Sequence, residues 1–181
     1  MSVFEYFKYD YERMTETDCK RFSPRVLFNL LFRHNLRCAY WYRKRRAGSK
    51  LARIAMYRMS RKFGLEISPD AEIGKGLYLG HPYNITVGMG VKMGDNINLH
   101  KGCTIGNIMT GKRKGSPTIG NCVSVGINAT IVGGVTIGND VFVAPNAFVN
   151  FDVPDHSVVI GNPGIIHHKE NATEFYILNK V

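Results

Sequence analysis

Apolar positions recur every six residues from about Ile67 to Val153. They fall at Ile67, Ile73 and Leu79, continue after a two-residue shift at Val87, Met93, Leu99 and Ile105, and resume after a longer excursion at Ile119, Val125, Ile131, Ile137, Val143 and Val149. Four places after most of these anchors stands a small or β-branched residue: Ala71, Val91, Ile97, Cys103, Val123, Ala129, Val135, Val141, Ala147 and Val153. Six residues make one short strand and a turn, and three such units close a triangular coil. A coil buries its apolar face only by stacking on its neighbours. The pattern therefore predicts a mainly β protein, a parallel β-helix of hexapeptide repeats over residues 65–160. Interruptions of a repeat array are where function is expected, since the repeat itself is scaffold. The shift holds His81, and the excursion GNIMTGKRKGSPT reads as a mobile cationic loop in which Lys112, Arg113 and Lys114 meet phosphates or an anionic acceptor.

Before the repeat the spacing turns helical. Residues 1–20 read as a short, poorly defined helical lead-in. Ser23 can cap a helix that Pro24 begins. The run to Arg46 is too continuously apolar to give one clean face, and Ala47-Gly48-Ser49 breaks it. A second helix carries Leu51, Ile54, Ala55 and Met59 on one face and ends at Phe63-Gly64. Residues 1–64 are thus expected to form an α-helical cap, and 161–181 to cover the last open coil and run into a tail.

Charge sharpens this division. The formal balance is +10, yet between Cys19 and Leu65 there are 14 Lys or Arg and no Asp or Glu, so the rest of the chain is net acidic. One segment therefore asks for an anionic partner. Tyr42-Arg43-Lys44-Arg45-Arg46 with its aromatic neighbours could hold phosphates and stack bases. No nucleic-acid-binding fold surrounds it, and no nucleic-acid partner is expected. An anionic membrane surface and a solvated charged face against a neighbouring subunit both remain. There is no apolar run of transmembrane length and no signal-peptide pattern at the N-terminus. Four cysteines lack paired or zinc-like spacing, and Cys103 at an inward position reads as core packing. These features suggest a cytoplasmic protein with reduced thiols, peripheral at the inner face of the membrane if the basic helices bind lipid.

The stretches EISPDAEIGKGLYLGHPYNITVGMGVKMGDNINLHKGCTIGN and GSPTIGNCVSVGINATIVGGVTIGNDVFVAPNAFVNFDVPDHSVVIGNP resemble the serine acetyltransferase family from end to end, and the helical segment looks similar around His34-Asn35-Leu36-Arg37-Cys38-Ala39-Tyr40. The resemblance is greatest to the branch found with polysaccharide-building enzymes. It implies a left-handed β-helix, a homotrimer with its active site between subunits, and acetyl-CoA-dependent O-acetyl transfer. By the same resemblance His81, in Leu79-Gly80-His81-Pro82, is the general base, which suits an imidazole because its reference pKa lies near working pH. Glu66 stands where the family has the carboxylate that orients this base. Gly106-Asn107 would border the thioester, and Gly126-Ile127 and Ala144-Pro145 would line the pantetheine groove. After Gly161-Asn162-Pro163 the family usually has a basic residue near the CoA phosphate; here that position is Ile165, so His167, His168 or Lys169 takes its place. His100, one coil from His81, is a rival base or an acceptor ligand. The related γ-type carbonic anhydrases hold zinc with three histidines; only His81 and His100 lie on the repeat, and no metal is expected.

Two departures bear on the acceptor. The family's Asp before the catalytic His is Gly80 here, and its Arg-His after the loop is Gly115-Ser116. Both lost side chains hold the amino acid in the family. The expected acceptor is therefore a sugar hydroxyl in surface polysaccharide biosynthesis, with Asn84, Asn107 and Ser116 as hydrogen-bonding groups. Serine O-acetyltransferase is the alternative, in which Asp18 or Lys114 replaces the lost charges, and a non-catalytic membrane-docking scaffold is a third reading.

Overall fold

A computed structural model describes residues 1–21 and 23–181. Four helices come first: α1 (Val3–Thr15), α2 (Pro24–Phe32), α3 (His34–Arg46) and α4 (Lys50–Phe63). Ser2 and Glu5 close a capping box on α1, while Ser23 and Ser49 accept from the Val26 and Ala52 N–H groups, satisfying donors that a helix N-terminus leaves free. The first twenty residues thus hold a full helix rather than a poorly defined lead-in, and it buries Phe7, Tyr11 and Met14. The long apolar run is two helices, because Arg33 leaves the helical conformation (φ −99°, ψ 102°). α4 ends on Gly64 in the left-handed region. It buries Ala52, Met56, Met59 and Phe63, whereas Leu51 and Ile54 face outward, against expectation. Both rows have helical spacing, so the sequence pattern alone does not choose the face that packs.

The coils follow. β1 (Glu66–Ile67), β2 (Glu72–Ile73) and β3 (Tyr78–Gly80) make the first; β4 (Thr86–Val87), β5 (Lys92–Met93) and β6 (Asn98–His100) the second; β7 (Thr104–Gly106), β8 (Thr118–Ile119) and β9 (Val123–Val125) the third; β10 (Thr130–Val132), β11 (Thr136–Ile137) and β12 (Val141–Val143) the fourth. β13 (Phe148–Val149) and β14 (Ser157–Ile160) close the stack. Strands stack in parallel on three faces, β1-β4-β7-β10-β13, β2-β5-β8-β11 and β3-β6-β9-β12-β14. Leu79 lies opposite Leu99, so the two-residue shift is absorbed in the turn at His81. All the anchors and the second row are buried, none more than 6% exposed, and Cys103 is in the core.

Along one corner Asp95, Asn121, Asn139 and Asp155 form a ladder: each accepts the backbone N–H of the coil before it, at 2.7–2.9 Å, from Lys75, Asp95, Asn121 and Asn139. A Cβ on Gly94 would meet Asn121 Oδ1 at 2.3 Å, which explains why glycine follows the anchor there.

The cap is fastened to the first coil by buried charge. Arg43 pairs with Asp10 through two bonds of 2.8 and 2.9 Å and also donates to the Ile73 and Gly74 carbonyls, while Asp10 accepts the Leu77 N–H. Arg13 donates to the Gly76 carbonyl and to Asn98 Oδ1, and the Tyr42 hydroxyl donates to the Ala71 carbonyl. Tyr42 and Arg43, read from sequence as part of an external basic cluster, are therefore interior fasteners. At the far end β15 (Ile165–His168) runs antiparallel to β14, covering a β edge that would otherwise be open. The tail returns along the third face, where Tyr176 stacks on Phe142 at 3.9 Å and Asp140 accepts from Ala172 and Thr173. Among the described residues no helix is long and apolar enough to cross a membrane.

Candidate active site

β3, β6, β9 and β12 lie side by side, so Gly80, His100, Gly126 and Ala144 form one row at the edge of the third face. The residues after them, His81, Lys101, Ile127 and Pro145, turn the corner. His81 is exposed and sits at φ 51°, in a tight turn where its carbonyl accepts the Tyr83 N–H at 2.6 Å. The turn presents the imidazole at the corner rather than folding it into the coil.

His100 lies beside Gly80, and the two are coupled. A Cβ at position 80 would stand 2.4 Å from His100 Nδ1. A side chain at 80 therefore requires the His100 ring to move. Burial, then the neighbouring His81 charge, pushes the His100 pKa down. His34 joins this group from the first turn of α3, its ring 5.3 Å from both Phe63 and Tyr83. Its Nε2 is buried without a hydrogen-bond partner, and burial, then Arg37 and His81, lowers its pKa. The exposed His81 is thus flanked by two imidazoles held toward the neutral form. Sequence reading passed over His34 as a site residue; the only signal was the family-like segment it begins.

Other expected residues are placed differently. Ile67 faces the core, so Glu66 faces out beside the end of α4, where its carboxylate accepts from Ser60 Oγ at 3.0 Å and makes no hydrogen bond to His81. Asn84 packs at the joint between α4 and β1: its N–H donates to the Phe63 carbonyl and its amide covers Gly64. Gly126 is buried under Ala144 and Pro145, where a Cβ would collide with backbone, so it serves coil stacking, whereas Ile127 and Pro145 are exposed.

Gly106 ends β7 and Asn107 follows it, on a different corner from His81, Ile127 and Pro145. Within one chain the expected thioester and pantetheine residues do not share a groove. The excursion after Asn107, expected as a mobile cationic loop, is closed at its base: Ile108 and Gly115 pair antiparallel, and the Arg113 carbonyl accepts the Gly134 N–H. Arg113 spends its charge on Asp152 at 2.8 Å, while Lys112 and Lys114 remain exposed. Ser116 Oγ donates to the Met89 carbonyl. Lys169 is exposed beyond β15, with its N–H on the His156 carbonyl.

A cavity of about 230 Å³ opens beside His100, walled by Arg13 of α1, Glu16 just after that helix, Tyr78, Asn98 and the returning tail at Tyr176. It holds one cation and one carboxylate. The repeat register could have shown Tyr78 beside Asn98, but nothing in the sequence placed α1 against them. Among the described residues no group of three His, Cys, Asp or Glu side chains could hold a metal ion.

Residues 116–150 match the family "Bacterial transferase hexapeptide (six repeats)". A serine acetyltransferase of Helicobacter pylori is 37% identical over 131 residues, covering 71% of each chain. Serine acetyltransferase 4 of Arabidopsis thaliana is 40% identical over 119 residues, 64% of this chain and 33% of that protein. Among solved structures, Neisseria gonorrhoeae serine acetyltransferase in complex with serine aligns with a TM-score of 0.75 at 28% identity, covering 91% of this chain and 69% of that one. Brucella abortus serine acetyltransferase in complex with coenzyme A aligns with a TM-score of 0.74 at 25% identity, covering 92% and 68%.

Proposed function

Because the chain belongs to the serine acetyltransferase family of hexapeptide-repeat transferases, we propose that it moves the acetyl group of acetyl-CoA onto the hydroxyl of L-serine, with His81 as the base. The relatives favour serine over the polysaccharide acceptor expected from the two departures. The observation that carries the reading is the pairing of an exposed, corner-mounted His81 with a charged cavity at the neighbouring His100. Serine is a zwitterion, and the exposed Glu16 carboxylate at that cavity can meet its ammonium, while Arg13 lends the wall positive charge from a buried guanidinium held by the Gly76 and Leu178 carbonyls and Asn98 Oδ1.

In the reaction the imidazole of His81 takes the hydroxyl proton as the serine oxygen bonds to the thioester carbonyl carbon. The tetrahedral oxyanion collapses, the C–S bond breaks, and the proton passes from His81 to the departing CoA thiolate. Backbone N–H groups at a coil turn can stabilise the oxyanion. Glu66 needs to exchange Ser60 for His81 if it is to orient the base.

A second reading keeps a glycan hydroxyl as acceptor. Gly80 and Ser116 favour it, since a neutral sugar needs room and hydrogen bonds where serine needs counter-charges, and an unpaired desolvated charge costs several kcal/mol. Competition decides between them. With acetyl-CoA and equal concentrations of L-serine and a neutral oligosaccharide, mass spectrometry should find the acetyl group on serine. Acetylated sugar with unmodified serine would replace the first reading by the second.

We also propose that the enzyme is a homotrimer. The division of site residues between two corners supports this: His81, Ile127 and Pro145 of one subunit can meet Gly106 and Asn107 only on the next. Light scattering at micromolar concentration should give the trimer mass or a multiple of it; a monomer would contradict the proposal.

A further inference from the structure

α2 presents to solvent the side that a soluble helix usually hides. Leu27, Phe28, Leu31 and Phe32 are 54–65% exposed. They form two pairs four residues apart, so they share one side of the helix, and the Phe28 and Phe32 rings touch at 4.5 Å between centroids. Val26 is the buried contact of this helix. Beside the exposed side, Leu27, Leu30 and Leu31 line a shallow groove with Arg37, Tyr40 and Trp41. An apolar patch of this kind marks an interaction surface.

The charges around it select the occupant. Arg25 and Arg33 are exposed at either end of α2, and no Asp or Glu occurs from Lys20 to Leu65. A second copy of the same surface would set cation against cation, which disfavours self-association. An anionic bilayer matches both features: apolar side chains enter the boundary between headgroups and acyl chains, arginines meet phosphates, and Trp and Tyr settle at the interface. The outward side of α4 repeats this chemistry, with Leu51, Ile54 and Tyr57 about 60% exposed among Lys50, Arg58 and Arg61.

We propose that the outward side of α2, with Leu27, Phe28, Leu31 and Phe32 set between Arg25 and Arg33, docks the enzyme on an anionic lipid bilayer. The test is co-sedimentation of the full chain with phosphatidylcholine vesicles, with and without phosphatidylglycerol. Binding should require phosphatidylglycerol and weaken as salt is raised. The double variant Phe28→Ser/Leu31→Ser, which alters only exposed side chains, should lose about 10- to 100-fold in partitioning and keep wild-type acetyl transfer. Equal binding to both vesicle types, binding to neither, or wild-type sedimentation by the double variant would each overturn the proposal. So would a double variant that loses no lipid binding but has a smaller mass in solution, which would make the patch an interface between copies.

Discussion

Replacing His81 by asparagine is expected to lower kcat by about 10²–10⁴-fold without a comparable loss of stability. The side chain is exposed, and the residue sits at φ 51°. Asparagine is among the non-glycine residues that most readily adopt that region, so the turn should survive while the base is lost. His81→Ala should give the same kinetic loss with some added backbone strain. His100 offers the contrast. Its ring is packed over Gly80 and lines the cavity, so His100→Ala should weaken serine binding and stability more than the chemical step. Steady-state kinetics with acetyl-CoA saturating, together with thermal unfolding, separates the two roles. A larger kcat loss for His100→Ala than for His81→Asn would exchange their assignments.

The second large effect concerns folding. Arg43 and Asp10 are 3% and 0% exposed and paired in bidentate fashion. Arg43 also satisfies the Ile73 and Gly74 carbonyls, and Asp10 the Leu77 N–H. Removing one partner strands a charge in the joint between cap and coils, at a cost of about 3–5 kcal/mol. Arg43→Met or Asp10→Leu alone should therefore lower the unfolding midpoint sharply. Replacing both removes the charges together, and the double variant should recover most of the loss, since apolar replacements of a buried pair are often neutral. Urea unfolding at fixed protein concentration checks this. Single variants within about 1 kcal/mol of wild type would mean that the pair behaves like a surface salt bridge.

How much was legible follows from which forces are periodic. Most inward positions of the coils could be read from Ile67 onward, because the six-residue period marks the side chains that can face the core; Leu77, Ile85 and Val159, beside the shift and at the closing strand, were not among them. The shift at His81 was visible as an interruption of that period. Non-periodic contacts were hidden. The Asp10–Arg43 fastening joins residues far apart in sequence, so Arg43 read as one more surface charge in a basic run. The outward turn of Leu51 and Ile54 was missed because two rows of α4 have equal claim to the core by spacing, and only packing selects Met56 and Met59. Glu66 and Asn84 illustrate a third limit. Glu66 was assigned by family resemblance and Asn84 as a hydrogen-bonding group for a sugar, but the atoms that engage them, Ser60 Oγ and the Phe63 carbonyl, belong to the joint with this chain's own α4. Gly80 shows the opposite case. Its departure was visible in the sequence, yet the His100 ring that occupies the space of a side chain there could be seen only in the register of β3 against β6.

The central claim is that the corner at His81 transfers acetyl from acetyl-CoA to a serine hydroxyl. Its most direct test is the initial rate of CoA thiol release by the full chain, with and without L-serine. The expected result is release that depends on serine, saturates with it, and falls with His81→Asn. Release that is unchanged by serine, or that survives intact in His81→Asn, would contradict the account.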